Sequence, residues 1–266
     1  MGRFPQAKKH LGQNFLHSPS MLEKLGNSLS KTGTDESFLE IGPGTGAITT
    51  LINKFAKSML LVEVDSDMLA ILDDMPELNS VYKLNLSFLD LTEEAILKVF
   101  SSNYHVVGNL PYYITTPCIE HLLLNLKHWD YAYFMVQKEV AQRILAKPGN
   151  KTYGRLTVFC SLFAETSLVT HVPRGCFQPV PGVDSSFIRL RRNLRVEESL
   201  SVATLKLVKL GFGQRRKQLS GLLSRYDRSL DWKRGFQEIG VSDRVRAEDL
   251  SIEKWISLAS WSMKLT

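Results

Sequence analysis

The sequence predicts an α/β fold whose sheet is mostly parallel, followed by a small all-helical domain. Short apolar runs recur between residues 38 and 191, and stretches with apolar residues at helical spacing separate them. Such alternation of strands and helices is typical of a parallel sheet covered by helices. From about Asn193 the pattern changes to short amphipathic helices. We therefore divide the chain into a first domain, residues 1–192, and a helical domain, residues 193–266.

The first predicted strand, residues 38–41, leads into a turn with three glycines, Gly42, Gly44 and Gly46. Glycine lets the backbone turn sharply and approach a ligand with no Cβ in the way. A helix follows, since apolar residues recur three and four positions apart: Ala47, Ile48, Leu51, Ile52 and Phe55. This order is typical of a nucleotide-binding unit, although a tight turn without a ligand produces the same pattern.

The glycine spacing indicates which nucleotide the turn suits. Dinucleotide sites usually carry G-x-G-x-x-G, whereas this turn has G-x-G-x-G with Pro43 between the first two glycines. That spacing favours S-adenosylmethionine. Glu63 ends the next apolar run, 21 residues after Gly42. A carboxylate at the tip of a second strand can accept hydrogen bonds from both ribose hydroxyls of such a cofactor.

The other strands are predicted from short apolar runs, and the other helices from apolar residues three and four positions apart. A helix begins at Ser18-Pro19-Ser20, because serine and proline are favoured at helix starts, and it continues through leucines at helical spacing. Further strands are predicted at 59–64, 80–86, 104–107, 131–136, 166–172 and 185–191, and further helices at 66–74, 92–100, 137–146 and 155–163.

The loop at residues 108–117, GNLPYYITTP, follows a predicted parallel strand. Ligands of open α/β sheets bind outside the carboxyl ends of the strands, so Asn109 and Tyr112 should emerge beside the glycine turn. The Asn109 side-chain carbonyl and the Leu110 backbone carbonyl can accept both N–H groups of an adenine amine. Tyr112 offers a face for an unstacked base. A tight turn bent at Pro111 is the alternative.

A second loop, residues 172–181, is too rich in proline for a helix or a central strand. It carries Phe177. An aromatic residue in such a loop either packs on the core as a lid or serves as a platform for a base. The residue pattern alone favours the lid.

Charge is distributed unevenly along the chain. Residues 1–188 carry 16 Lys and Arg against 18 Asp and Glu, a net charge of −2, and residues 189–266 carry 17 against 9, a net charge of +8. A polyanion such as nucleic acid is the simplest partner for this basic part, and a solvated basic face is the alternative. The run Arg215-Arg216-Lys217, which we expect on a helix, is the candidate contact with RNA.

Other classes of protein receive little support. No apolar run approaches the roughly 18 residues of a membrane span, and the first 13 residues lack the apolar core of a signal peptide. We therefore expect a cytoplasmic protein without a membrane partner. The three cysteines show no C-x-x-C and the six histidines are scattered, which predicts reduced thiols and no metal site.

Six motifs, in the same order, make the chain resemble the small-subunit ribosomal RNA adenine dimethyltransferases over essentially its whole length. They are KKHLGQNFL at 8–16, LEIGPGTGAIT at 39–49, VEVD at 62–65, GNLPYYITTP at 108–117, FQPVPGVDS at 177–185 and QRRKQL at 214–219.

The resemblance implies a Rossmann-like class I methyltransferase domain that uses S-adenosylmethionine. It implies methylation at N6 of two adjacent adenines near the 3′ end of 16S rRNA, within the small ribosomal subunit or its precursor, until each adenine is dimethylated. We expect a monomer in which the N-terminal segment, residues 1–30, packs over the cofactor. Asn14 and Leu16 of that segment would contact the cofactor.

The resemblance also assigns roles to the other candidate residues. Gly42 and Gly44 would line the methionine part of the cofactor, and Glu63 would hold its ribose. Asn109 would lie between cofactor and target, and the adenine would be sandwiched by Tyr112 and Phe177.

One position departs from the family pattern. Where the family usually has an aspartate that contacts the cofactor's adenine amine, this chain has Ser87, with Asp90 three residues later. Either side chain could make that contact.

Three alternatives remain open at this point. A related enzyme could modify an adenine of the large-subunit RNA. A DNA adenine methyltransferase would also carry an asparagine, a proline and an aromatic residue after this strand. A nucleic-acid-binding relative that keeps the fold without catalysis is the third. The presence of Asn109, Tyr112 and Glu63 argues against lost catalysis.

Overall fold

The computed structural model describes residues 6–33 and 35–265. The chain forms two compact units. One extends to Ala141 and includes Ser167–Arg192; the other combines Gln142–Thr166 with the chain from Asn193 onward. The helical unit therefore includes residues 142–166, which the division at residue 192 left in the first domain. The spacing of apolar residues predicts the helix in this segment, but it does not indicate in which of the two units the helix packs.

The first unit is built on a seven-stranded sheet. Its strands are β1 (Ser37–Ile41), β2 (Ser58–Glu63), β3 (Tyr82–Asn85), β4 (Tyr104–Asn109), β5 (Trp129–Gln137), β6 (Ala164–Val172) and β7 (Ser185–Arg192). The spatial order is β3-β2-β1-β4-β5-β7-β6. Strands β1 to β5 pair in parallel, and β7 runs antiparallel to β5. The predicted α/β class and all seven predicted strands are confirmed.

The direction in which strands are added reverses between β1 and β4. From β1 the chain adds β2 and β3 on one side and then returns to place β4 on the other. In open α/β sheets such a reversal leaves a crevice at the carboxyl ends of the two strands, where ligands bind. The glycine turn follows β1 and the Asn109 loop follows β4, so both predicted binding loops lie at this crevice.

The helices are α1 (Pro19–Leu29), α2 (Thr49–Ile52), α3 (Ser66–Asp73), α4 (Glu93–Leu97), α5 (Thr115–Asn125), α6 (Lys138–Ile144), α7 (Arg155–Phe163), α8 (Glu198–Gly213), α9 (Leu219–Tyr226), α10 (Trp232–Glu238) and α11 (Ile252–Met263). Two differ from the sequence prediction. The helix after the glycine turn is a single turn, and α5 was not predicted.

Helix α5 was missed because Thr115-Thr116-Pro117 looks like the end of a loop. Pro117 lies in the first turn of the helix, where its missing N–H would have no partner in any case. The helix is held by one apolar face, whose buried members are Cys118, Ile119, Leu122 and Leu123.

A short antiparallel ladder joins the N-terminal segment to the proline-rich loop. Phe15 pairs with Gln178 and Leu16 with Phe177. Leu16 and Phe177 are both buried in the core of the first unit, beside Val172, Met135 and Phe187. The ladder therefore holds the N-terminal segment against the body of the sheet.

Tryptophans dominate the core of the helical unit. Trp232, Trp255 and Trp261 are buried with apolar residues of α7, α8, α9 and α11. Helices α8 and α11 approach closely because Gly211 has no side chain: a Cβ there would lie 2.8 Å from the Trp255 ring. In the described part of the chain, no helix has the length and apolar character that crossing a membrane requires.

Candidate active site

A cavity of about 200 Å³ lies at the carboxyl ends of β1, β2 and β4. The N-terminal segment forms one wall, and the glycine turn and the Asn109 loop form others. Nine predicted site residues line it: Asn14, Leu16, Gly42, Gly44, Glu63, Ser87, Asn109, Leu110 and Tyr112. The fold thus brings together side chains that are up to 98 positions apart in the sequence.

The glycine turn needs glycine for its backbone conformation. Gly42 has φ +62° and Gly44 has φ +55°, in the left-handed region that side chains disfavour. The space above Gly42 is open, whereas a Cβ on Gly44 would lie 3.3 Å from the Phe15 ring. The turn therefore presents bare backbone to the cavity.

Glu63 ends β2 and is held in place by backbone N–H groups. Its Oε2 accepts a hydrogen bond from Gly44 N at 3.2 Å, and its Oε1 accepts one from Asp65 N at 2.9 Å. Burial raises the pKa of Glu63, and these hydrogen bonds partly oppose that rise. The carboxyl is fixed at the strand tip and lines the cavity, where the sequence predicted a ribose contact.

Glu40 is a further cavity residue that the sequence analysis did not select. Its side chain is 2 % exposed, and its Oε2 has no hydrogen-bond partner among the described residues. Burial raises the pKa of Glu40 to about 8, partly opposed by the Thr49 hydroxyl and reinforced by Glu63. A lone carboxylate within an apolar buried strand was the signal that could have revealed it, because such a group is costly without a partner.

Asn109 is held by the N-terminal segment. Its Nδ2 donates a hydrogen bond to the backbone carbonyl of Asn14 at 2.8 Å, and Asn14 Nδ2 donates to the carbonyl of Gly12 at 3.0 Å. A carbonyl can only accept, so this contact determines which end of the Asn109 amide is the nitrogen. The Oδ1 atom of Asn109 is left as the acceptor.

Tyr112 is half-buried and lines the same cavity. Its hydroxyl and that of Ser185, at the start of β7, form a hydrogen bond of 2.9 Å. Burial raises the pKa of Tyr112, so the phenol stays protonated. The hydrogen bond ties the ring to the sheet and limits its motion.

A cluster of charged and polar side chains fastens the N-terminal segment to the loop after β2. Lys8 Nζ lies 2.6 Å from the buried carboxylate of Asp65 and 2.7 Å from Asp67. Gln13 Nε2 donates to Asp65 at 2.7 Å. Burial alone would raise the pKa of Asp65, but the hydrogen bonds from Lys8 and Gln13 hold it below its ordinary value. Residues 1–5 of the segment expected over the cofactor lie outside the described residues.

Ser87 and Asp90 differ in whether they reach the cavity. Ser87 lines the cavity, and its hydroxyl accepts a hydrogen bond from Leu89 N at 3.2 Å. Asp90 is exposed and is absent from the cavity wall. This geometry favours Ser87 for the contact that the sequence left undecided.

Phe177 does not lie where a base platform requires. Its ring is 1 % exposed and packs in the core, and it does not line the cavity. Pairing with Leu16 draws the residue inward. In this arrangement Phe177 packs on the core, and the sandwich role would require the loop to move.

The run Arg215-Arg216-Lys217 lies in the turn between α8 and α9, so the expectation of a helix was wrong. Arg215 Nη2 donates to the carbonyls of Lys151 and Tyr153 at 3.0 and 2.8 Å, and it lies 3.0 Å from the Glu248 carboxylate. Arg215 therefore holds the helical unit together, while Arg216 and Lys217 are exposed.

The described residues contain no group of three or more histidine, cysteine, aspartate or glutamate side chains placed to hold a metal ion. Among the groups that line the cavity are bare backbone, two buried carboxyls and the Asn109 amide.

A mostly parallel sheet with this strand order and an antiparallel β7, with a glycine turn after β1 and an acidic residue at the tip of β2, is typical of the Rossmann-like class I methyltransferases. The family model for ribosomal RNA adenine dimethylase matches residues 5–264. The chain therefore belongs to the ribosomal RNA adenine dimethylase family. It is accordingly an S-adenosylmethionine-dependent rRNA adenine dimethyltransferase.

Relatives identified by sequence agree with this assignment. "Ribosomal RNA small subunit methyltransferase A" of Pseudoalteromonas translucida is 36% identical over 258 residues, which cover 96% of this chain and 94% of the relative. The protein of that name from Bacillus thuringiensis is 36% identical over 268 residues, covering 95% and 90%.

Among solved structures, a dimethyladenosine transferase from Plasmodium falciparum has a TM-score of 0.78 at 24% identity and covers 94% of this chain and 98% of its own. The 23S rRNA methyltransferase ErmE has a TM-score of 0.73 at 24% identity, covering 93% and 98%. At this level of identity the two structures support the fold alone.

Proposed function

We propose that this protein transfers methyl groups from S-adenosylmethionine to N6 of two adjacent adenines in the 3′-terminal hairpin loop of 16S rRNA, during small-subunit maturation in the cytoplasm. Each adenine receives two methyl groups. The observation that carries the proposal is the fixed Asn109 amide, whose Oδ1 accepts no hydrogen bond from the described residues and which lines a cavity with Leu110 and two buried carboxyls. The choice of the small subunit rests on the names of the relatives.

The cavity suits the cofactor because of its unpaired acid. Glu40 has a buried carboxyl oxygen without a partner, and a cationic group is the ligand that would stabilise its ionised form. The ammonium of S-adenosylmethionine would meet that need, the bare backbone of Gly42 and Gly44 would admit its methionine part, and Glu63 would accept hydrogen bonds from its ribose hydroxyls. When bound, S-adenosylmethionine supplies a methyl group on a positively charged sulfur.

The chain's own contribution to the reaction is placement. The adenine amine is a weak nucleophile because its lone pair is delocalised into the ring. Asn109 Oδ1 and the Leu110 carbonyl, accepting its two N–H groups, would favour a pyramidal nitrogen and stabilise the positive charge that develops there. Tyr112 would support the face of the extruded base. A displacement of this kind requires no nucleophilic side chain, and the proton can leave to solvent.

The same site geometry would serve an adenine of the large subunit, so the substrate must be tested directly. We would supply labelled cofactor with small subunits from a strain that lacks the modification, using large subunits and naked DNA as controls. We expect label on the small subunit, at two adjacent adenines. Label on large subunits alone would support the large-subunit alternative. Saturable cofactor binding without label on any RNA would support a non-catalytic role.

A further inference from the structure

The rim of the cavity has an exposed aromatic side chain that none of the roles above uses. Three large apolar side chains in the described part of the chain are both exposed and part of the cavity wall: Val64, Leu89 and Tyr113. Tyr113 is the aromatic member and is 61 % exposed. Its hydroxyl makes no hydrogen bond with the described residues, so neither burial nor hydrogen bonding accounts for a ring at this position.

The backbone holds Tyr113 in a defined place. Ile114 N donates a hydrogen bond to the Pro111 carbonyl at 3.1 Å, which closes a turn with Tyr112 and Tyr113 at its centre. Tyr112 is tied to Ser185 and is half-buried, whereas Tyr113 is exposed. Two adjacent tyrosines therefore sit at one cavity in different environments, one inside and one at the rim.

Tyr113 also contacts the N-terminal segment. A Cβ at Gly12 would lie 3.3 Å from two ring atoms of Tyr113, and Gly12 has φ +61°. One side of the ring therefore lies close to the Gly12 backbone, while the residue as a whole is 61 % exposed. Such support reduces the entropy that the ring would lose on binding a flat ligand.

An extruded adenine leaves its neighbours without a stacking partner. An aromatic side chain that replaces the lost stacking contributes about 1–3 kcal/mol per base. Phe177 is buried and cannot supply this surface in the present arrangement. Tyr113 lines the cavity, is exposed, and is next in sequence to the tyrosine proposed to hold the target.

We propose that Tyr113 stacks on the nucleobase adjacent to the target adenine and so positions the RNA strand at the cavity mouth. This inference rests on the proposed RNA-methylating function and adds a binding position for a second base. The ring provides the contact and the hydroxyl does not, so Tyr113→Phe should behave as the wild type.

The first test compares the kinetics of variants on small subunits that lack the modification. Tyr113→Ala should raise the KM for the subunit about 5- to 150-fold, the equivalent of about 1–3 kcal/mol, with little change in kcat. Tyr82→Ala is a matched control, because Tyr82 is 62 % exposed and lies outside the cavity wall. Cofactor titration should show unchanged affinity, which separates base stacking from loosening of the contact with Gly12.

A second readout reports stacking directly. Small subunits are assembled on 16S rRNA with 2-aminopurine replacing one of the two adenines. This base lacks the N6 amine and cannot be methylated, so the remaining adenine is the target and 2-aminopurine is the base beside it. Its fluorescence should be quenched by the wild type, by Tyr113→Phe and by Tyr82→Ala, and should be brighter with Tyr113→Ala.

Wild-type kinetics and quenching in Tyr113→Ala would overturn the inference while leaving the proposed function intact. A weaker affinity of Tyr113→Ala for the cofactor, with unchanged quenching, would equally overturn it in favour of a role in holding the N-terminal segment. Failure of the wild-type protein to methylate the subunit would instead overturn the proposed function, and the inference with it.

Discussion

The Asn109 side chain and the Asn14 backbone are joined by a hydrogen bond of 2.8 Å that connects the end of β4 to the N-terminal segment. The contact spans 95 positions of the sequence. Because the donor is the amide nitrogen, the acceptor Oδ1 is left for a ligand, and the N-terminal segment determines its direction. The N-terminal segment, which forms one wall of the cavity, therefore also orients the Asn109 oxygen that is proposed to bind the adenine amine.

Asn109→Ala should reduce turnover by about 100-fold or more, the scale for losing one preorganised polar contact in a transition state. Cofactor affinity should change less, because Asn109 is one of many groups at the cavity. Single-turnover methylation at saturating cofactor and subunit measures the effect. Asn14→Ala is the control: it keeps the backbone carbonyl that orients Asn109 and should retain more turnover. Unchanged turnover in Asn109→Ala would remove this residue from the mechanism.

Glu40→Gln should change how stability depends on pH. The folded-state pKa of Glu40 is about 8, above its ordinary value of 4.5, so between these values the folded protein keeps a proton that the unfolded chain has lost. The free energy of unfolding of the cofactor-free protein should therefore fall as pH rises from about 5 to about 8. Glu40→Gln removes that contribution and should be the more stable protein near pH 9 in thermal unfolding.

The pH dependence of cofactor affinity tests the role of Glu40 in a second way. An ammonium partner favours the ionised carboxyl, so wild-type cofactor affinity should rise with pH up to about 8, where Glu40 ionises. Glu40→Gln should bind more weakly and lose this rise. The exposed Glu23 gives a matched variant, Glu23→Gln, that should follow the wild type in both experiments. Equal cofactor affinity in Glu40→Gln and wild type would rule out the proposed ion pair.

Local sequence patterns were sufficient for the sheet, the glycine turn and the Asn109 loop, because each depends on short-range periodicity or on the position of a strand end. The roles of Asn14, Leu16 and Ser87 came from the family resemblance. Glu40 was missed because a single acid in an apolar run shows its importance only once its burial and lack of a partner are known. Phe177 was expected to contact the target base and Arg215 to contact RNA, yet Phe177 pairs with Leu16 and Arg215 bonds to Tyr153. Long-range contacts of this kind leave no local signature.

Phe177→Ala should mainly affect stability. Truncation of a fully buried phenylalanine costs about 3–5 kcal/mol, so the melting temperature should fall clearly. Tyr112→Ala should instead weaken placement of the adenine by about 1–3 kcal/mol while cofactor affinity is retained. Activity is compared at a temperature where both variants are folded. If Phe177→Ala lost activity there without a fall in melting temperature, the ring would act on the substrate after a movement of its loop.

Of the three adjacent cations in the basic run, Arg215 bonds within the helical unit, and the other two are candidate contacts with RNA. Arg216 and Lys217 are exposed, and each could neutralise one phosphate. Changing both to Gln should flatten the plot of log affinity for the small subunit against log salt by about 1.4 to 1.8 units, from roughly 0.7 to 0.9 per contact. The melting temperature should stay the same. Subunit binding at several salt concentrations, beside a cofactor titration of the same variant, provides the measurement.

Arg215→Gln supplies the contrasting variant. Its guanidinium bonds to the Lys151 and Tyr153 carbonyls and pairs with Glu248, so its loss should lower the free energy of unfolding. The cost should be about 1–2 kcal/mol, near the lower end for charged hydrogen bonds, because the side chain is 41 % exposed. Its salt slope should change less than that of the double variant. An unaltered slope in the double variant would show that the two exposed cations do not contact RNA, and the basic run would then be a solvated surface anchored by Arg215.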